Sequence, residues 1–263
     1  MDRNALIADL RMRIAGKEAA SSPLISLGGA GDVLPGGGLR AGALHEVAAA
    51  AYRDMGAATG FAAALVACAM KQSALPVLWC ETARAPFDMG RLYGPGIGAF
   101  GIDPARLLFA EPPGDTDCLW VMEEALRARA FAAVIGEVDG RSSALDLSST
   151  RRLQLAAEET QTPVLLFTGH GRQGASVAVT RWQVASAESE SSFDVRGGEK
   201  LPGRARWSVS LTRCRGGKPG RWLMEWDGEA TDFLFVTPVQ ESESISLPAP
   251  QPSEATLPFR RTG

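Results

Sequence analysis

Three carboxylates stand where a chain could do phosphate chemistry. Glu81 closes the apolar run VLWCE, while Glu137 and Asp139 lie in and just beyond AAVIGEV. A carboxylate at the carboxyl end of a parallel strand is well placed to activate water or face a metal ion. Work on a triphosphate also needs a loop that aims backbone N–H groups at the phosphates. That loop supplies a lysine to offset charge and a hydroxyl to hold Mg²⁺. The segment LHEVAAAAYRDMGAATGFAAAL, residues 44–65, occupies the place for such a loop, between an apolar strand and a small-residue helix. It contains no Gly-Lys-Ser or Gly-Lys-Thr. It offers Gly56 and Gly60, Thr59 as the hydroxyl at a suitable position, and the charges of Arg53 and Asp54. Arginine is not a simple replacement for a loop lysine, and Asp54 repels phosphate. Arg53, Thr59, Glu81 and Glu137 are therefore expected to mark a degenerate nucleotide site, with no catalytic residue, cofactor or metal.

The other reactive side chains offer less. His45 and His170 are the only histidines, which excludes a histidine-rich metal centre. His45 reads as a packed residue of the first strand. Cys80 beside Glu81 suggests thiol chemistry only if a histidine serves as its base, and none is evident. The cysteines at 68, 80, 118 and 214 match no paired metal-ligand spacing and read as buried thiols in a reducing cytosol.

A second constellation lies further along. Between His170 and Arg221 the basic residues outnumber the acidic ones ten to four, in a chain whose net charge is -3. Trp182, Trp207 and Trp222 are interleaved with them. Such a mixture could bind single-stranded nucleic acid by phosphate contact and base stacking. The candidates for a DNA or partner surface are Arg172, Arg181, Arg204, Arg206, Arg213, Arg215, Lys218 and Arg221. The competing reading is an antiparallel sheet with arginines on its wet face and tryptophans on the other. In ARWSVSLTRCR, Trp207, Val209 and Leu211 share one face, and Arg213 and Arg215 fall on it too unless a bulge intervenes.

These groups need elements to position them. The chain has 263 residues and is 45% apolar, enough for one sizeable core. No run of about 18 apolar residues exists, so no membrane span is expected, and the first 23 residues carry no signal peptide pattern. Leu6, Ile7, Leu10 and Ile14 predict a short amphipathic helix over 4–15. Strands are expected at 43–47 and in VLWCE, GIDPARLLFAE, FAAVIGEV and PVLLFTG. Helices are expected over 57–72, in DTDCLWVMEEALRARA, capped by Asp115 or Thr116, and in LDLSSTRRLQLAAEETQ. Apolar strands alternating with helices imply an α/β fold with a mostly parallel sheet covered on both faces. ASVAVTRWQVAS, ARWSVSLTRCR and GRWLMEWDG then alternate in strand fashion, with GGKPG as a hairpin tip, and are expected to extend the sheet in antiparallel fashion. The expected division is an N-terminal helix and linker over 1–23, a core over 24–237, and a flexible Pro, Ser and Glu-rich tail over 238–263.

The order GGGLRAGALHEV, VLWCETARAPFD, LLFAEP, AAVIGEVDG and PVLLFTGHGRQG resembles the core of the bacterial recombinase RecA. More closely, it resembles the ImuA family, RecA-like accessory proteins of the damage-inducible mutagenesis cassette, over roughly residues 24–237. The resemblance implies a cytoplasmic factor of the SOS response that supports error-prone translesion synthesis. Its implied partners are an ImuB-type polymerase-like protein, RecA, and indirectly an alternative replicative-type polymerase. Glu81 matches, by position, the glutamate that activates water in active RecA-type ATPases. The loops DGRSS and HGRQGAS match DNA-contacting loops of the recombinase but are short. The helix over 4–15 could join copies into a homo-oligomer, as the recombinase's N-terminal helix does. Leu257 and Phe259 are candidates for a docking motif in the tail. Three readings stay open: a non-catalytic adaptor, a DNA-dependent ATPase, and a weak nucleic-acid-binding modulator of filaments.

Overall fold

Strand β3, Leu44–Ala49, is buried at every position, and so are β4, Val77–Glu81, and β6, Ala133–Glu137. Strands of this kind need cover on both faces. The computed structural model supplies it, describing residues 22–82, 87, 89–172, 174–190, 194–195, 199–200 and 203–238. The helix expected over 4–15, Leu257 and Phe259 lie outside these residues.

The described residues open with a small antiparallel pair, β1 (Leu24–Ser26) and β2 (Gly38–Arg40), and enter the main sheet at β3. Helix α1 spans Met55–Lys71, and α2 is a single turn, Gly94–Gly98. Next come β5 (Leu107–Ala110), α3 (Asp115–Ala128), β6, α4 (Leu147–Thr160), β7 (Val164–His170) and β8 (Thr180–Ser186). A two-residue pair follows, β9 (Asp194–Val195) with β10 (Glu199–Lys200). The chain then forms β11 (Arg206–Cys214), β12 (Gly220–Asp227) and β13 (Asp232–Pro238). Among the described residues the main sheet has nine strands, in the order β13-β12-β11-β8-β3-β7-β6-β4-β5. It is parallel from β8 to β5 and antiparallel from β8 to β13.

Two expectations change here. The segment ASVAVTRWQVAS holds β8, which lies parallel to β3, so the antiparallel extension begins one strand later, at β11. Neither Asp115 nor Thr116 caps α3: Gly114 is its N-cap, and Asp115 sits in the first turn, where its charge still favours the helix dipole. The capping box falls on α4 instead, where Asp146 Oδ1 accepts from Ser149 N at 2.7 Å and Ser149 Oγ accepts from Asp146 N at 3.0 Å.

Helix α1 covers one face of the sheet, and α3 and α4 cover the other. Thirteen of the seventeen residues of α1 are buried, which explains its alanines: only small side chains let a helix be enclosed on nearly all sides. On its face Phe61 meets Trp182, Trp207 and Phe233 at ring distances of 5.6–5.8 Å. The bulge in β11 falls between Leu211 and Arg213, so Trp207, Val209 and Leu211 pack inward while Arg213 turns outward. At the far edge, β5 leaves Leu108 and Phe109 about half exposed. Among the described residues no helix is long and apolar enough to cross a membrane.

Candidate functional site

The turn from β3 into α1 is tied down by its own neighbours. Ala50 N donates to Val184 O at 2.8 Å, and Asp54 N donates to Ala51 O at 3.0 Å. Tyr52–Asp54 form one tight turn that turns Arg53 outward and Asp54 inward. Asp54, 3% exposed, accepts from Ser186 N and Ser186 Oγ on β8. Two backbone donors of this turn, those of Ala50 and Asp54, are thus used within the protein and not aimed at a ligand. Thr59 turns its hydroxyl back onto Met55 O, 3.1 Å away. Arg53 and Thr59 therefore flank the first turn of α1 without converging on one point.

Glu81 and Glu137 do come together. They are register partners on the adjacent parallel strands β4 and β6, at their carboxyl ends and on the α1 side of the sheet. Trp79 Nε1 donates to Glu137 Oε1 at 2.8 Å. Burial pushes the Glu137 carboxyl up to about 7; the Trp79 hydrogen bond opposes this and the Glu81 charge adds to it. Burial also raises Glu81, against the pull of Arg91 and with a push from Glu111. Arg91 forms a two-pronged ion pair with Glu111. Among the described residues no group of three or more His, Cys, Asp or Glu is arranged to hold a metal ion.

Above Glu137 lies a pocket of about 240 Å³. Gly56, Thr59 and Gly60 of α1 form one wall, Ile97 and Phe100 another, and Phe167 and Glu137 lie at its base. Phe100 stacks on Trp207 with ring centroids 6.3 Å apart and closes over α1: a Cβ on Gly60 would stand 2.9 Å from Phe100 Cζ. Phe87 meets Phe167 edge-on at 5.5 Å. Gly169 has a φ of 64°, and a Cβ there would stand 2.1 Å from the Phe87 ring, so both conformation and space require glycine. The pocket is more apolar than a triphosphate cleft, and the aromatic wall at 87–100 has no periodicity that would have revealed it in the sequence.

Cys80 points away from this pocket, into the α3–α4 core, where its free thiol shares a hydrogen bond with the free thiol of Cys118. That bond and burial raise the Cys118 thiol and hold it protonated. His45 is fully buried. Its Nε2 lies 2.8 Å from Arg40 O and its Nδ1 2.7 Å from Thr180 Oγ1, which also accepts from Trp182 Nε1 at 2.9 Å. A carbonyl only accepts, so Nε2 carries the proton and the Thr180 hydroxyl donates to Nδ1. Burial lowers His45 to about 4.

The basic residues separate into groups. Arg172 and Arg181 hold the fully buried Glu46, with Arg181 Nε 2.6 Å from Oε2 and Arg172 Nη2 3.5 Å from Oε1. Arg206 pairs with Glu225 at 2.6 Å, and Arg204 with Asp227 at 3.1 Å. Arg213 donates to Ser176 O, and Arg215 donates to Val177 O at 3.1 Å. Lys218 and Arg221 are exposed at the β11–β12 hairpin. A separate cluster joins the loop after β6, the end of β7 and the turn after β3: Arg141 Nη2 lies 3.3 Å from His170 Nε2, and Tyr52 meets the His170 ring edge-on at 5.6 Å. Glu46, Asp54 and Ser186 organise these strand ends; each looks like an ordinary strand or turn residue in the sequence.

No protein-family model matches the chain. Curated relatives do. The chain is 34% identical over 203 residues to Protein ImuA from each of two strains of Caulobacter vibrioides, an alignment that spans 73% of this chain and 78% of the relative. With that identity over more than two thirds of the relative's length, the chain belongs to the ImuA family.

Proposed function

We propose that this protein is a non-catalytic, RecA-like adaptor of the SOS mutasome. It acts in the cytoplasm, in the response to DNA damage, and supports error-prone translesion synthesis. It binds an ImuB-type polymerase-like partner and RecA, and is linked through them to an alternative replicative-type polymerase. Membership of the ImuA family supports the setting. The observation that carries the non-catalytic part is the closed turn between β3 and α1. Asp54 is bound to Ser186 there, Arg53 faces out, and Thr59 is turned to Met55 O. Glu81 and Glu137 keep the places of catalytic carboxylates but have no phosphate-gripping loop beside them.

The test uses the full chain. Used as bait in damaged cells, it should retain the ImuB-type protein stoichiometrically. The pure protein should show neither ATP turnover above background nor a melting shift with ATP and Mg²⁺. Turnover that disappears in Glu81→Ala would replace this reading with that of a DNA-dependent ATPase. A weak nucleic-acid contact is compatible with the adaptor role and is favoured by Lys218 and Arg221, which stand exposed side by side with the Trp222 strand. Such binding should weaken steeply with salt.

A further inference from the structure

The pocket over Glu137 has a shape and a charge that match a segment of this same chain. Its volume, about 240 Å³, falls below the roughly 300–1,000 Å³ of small-molecule sites and suits one or two large side chains. Its walls are the glycine face of α1, Ile97, Phe100 and Phe167, and its polar floor is one carboxylate, Glu137. Glu137 takes a hydrogen bond from Trp79, and the cation at the rim, Arg91, is engaged by Glu111. An apolar plug followed by a cation is the complement of such a site. Residues 257–261 read Leu-Pro-Phe-Arg-Arg, two large apolar side chains and then two arginines; the stretch after Pro238 also carries Val239, Ile245 and Leu247, but only here does an apolar pair lead into a cation.

The connection has the right length. The turn before β13 packs against the pocket wall: a Cβ on Gly228 would stand 2.0 Å from Ala99 O, next to Phe100. The seven residues of β13 then carry the chain about 20 Å away to Pro238. Residues 239–256 separate Pro238 from Leu257. A coil of about 18 residues has an end-to-end distance of roughly 21–25 Å, which matches the way back. At that match the effective concentration is on the order of millimolar.

We propose that Leu257–Arg261 docks in cis into this pocket, with Phe259 or Leu257 seated between α1 and Phe100 and an arginine directed to Glu137. The docked segment is then withheld from other proteins until the pocket releases it. At millimolar effective concentration, a contact with an intrinsic Kd of about 0.1 mM would be closed roughly tenfold over open.

Hydrogen exchange on the full chain tests this. Three proteins are compared: the parent, Phe259→Asp, and Gly56→Phe. Nothing lies within 4 Å of a Cβ at Gly56, so a phenylalanine there can enter the pocket, and replacing a helical glycine favours α1. In the parent, the amides of residues 257 and 259–261 should exchange about tenfold more slowly than in either variant, and those of 96–100 should show a matching change. The protection should not depend on protein concentration. Exchange of the tail at the same rate in all three proteins would overturn the proposal. So would protection that grows with protein concentration, which would assign the pocket to a second copy. Phe259→Asp changes no residue of α1 or of the main sheet, so it distinguishes loss of docking from loss of folding in Gly56→Phe.

Discussion

Asp54 and Ser186 lock the turn into α1 through a single carboxylate oxygen. Oδ1 accepts from the Ser186 backbone N–H at 3.1 Å and from the Ser186 hydroxyl at 2.9 Å. This joins the turn after β3 to the end of β8, two strands that are already parallel neighbours.

Breaking this lock has a graded cost. A net hydrogen bond contributes about 1 kcal/mol, and an orphaned buried group costs about 1–3 kcal/mol. Ser186→Ala should lower stability by about 1 kcal/mol and Asp54→Ala by about 2 kcal/mol, while Asp54→Asn, which keeps an acceptor, should cost less than Asp54→Ala. Urea midpoints at constant slope measure this. If Asp54→Ala instead creates ATP binding, the turn closes an otherwise competent site.

Glu137 and His45 give stability opposite pH dependences. Glu137 is raised to about 7 from 4.5, so its neutral form is favoured by folding. Its contribution is complete below about pH 4.5 and is lost as pH rises through 7. Glu137→Gln should therefore gain stability over the parent at pH 8, by up to about 3 kcal/mol, with little gain at pH 4.5. Gln retains a carbonyl oxygen to accept from Trp79. Denaturation at both pH values decides it.

His45 is lowered to about 4 from 6.5, so its neutral form too is favoured by folding, but on the other side. Its contribution is complete above about pH 6.5 and is lost as pH falls toward 4. In the parent the two slopes oppose each other between about pH 4.5 and 6.5. Glu137→Gln should expose a rise of stability with pH across that window, and His45→Gln a fall. Stability profiles with the same slope in both variants would show that neither group titrates as its burial implies.

The Glu46 cluster predicts a different loss. Removing one partner of a buried ion pair costs roughly 3–5 kcal/mol because a charge is left uncompensated. Arg181→Ala should fall near the lower end, since Arg172 remains beside Glu46. If DNA binds, its salt slope should shrink in Lys218→Ala or Arg221→Ala and stay unchanged in Arg181→Met. Equal slopes in all of them would place the nucleic acid elsewhere.

What the sequence revealed follows from local physics. The strands β3, β4, β6 and β7 were legible because burial on both faces forces continuous apolar runs, and α1 because enclosure demands small residues. The bulge at Leu211 and Arg213 was legible as a broken alternation. Strand β13 was not, since DFLFV follows a turn with a polar flank and has no partner signal of its own. The direction of β8 was hidden as well: alternation reports a half-covered strand and says nothing of whether its neighbour runs with it. At the site, Glu81 and Glu137 were recognisable as strand-end carboxylates. Their pairing across β4 and β6, the Trp79 hydrogen bond and the aromatic wall at Phe87 and Phe100 depend on residues far apart in the chain. The arginines at 172, 181, 204 and 206 look like a basic surface in sequence because their acidic partners, Glu46, Glu225 and Asp227, are supplied by other strands.

The last strand of the parallel half has a practical side. With Leu108 and Phe109 half uncovered on β5, and one flank of its backbone facing no further strand among the described residues, the sheet offers other molecules a ready template. Overexpressed protein should cloud on concentration before it unfolds on heating, and a lysine at 109 should keep it clear for longer.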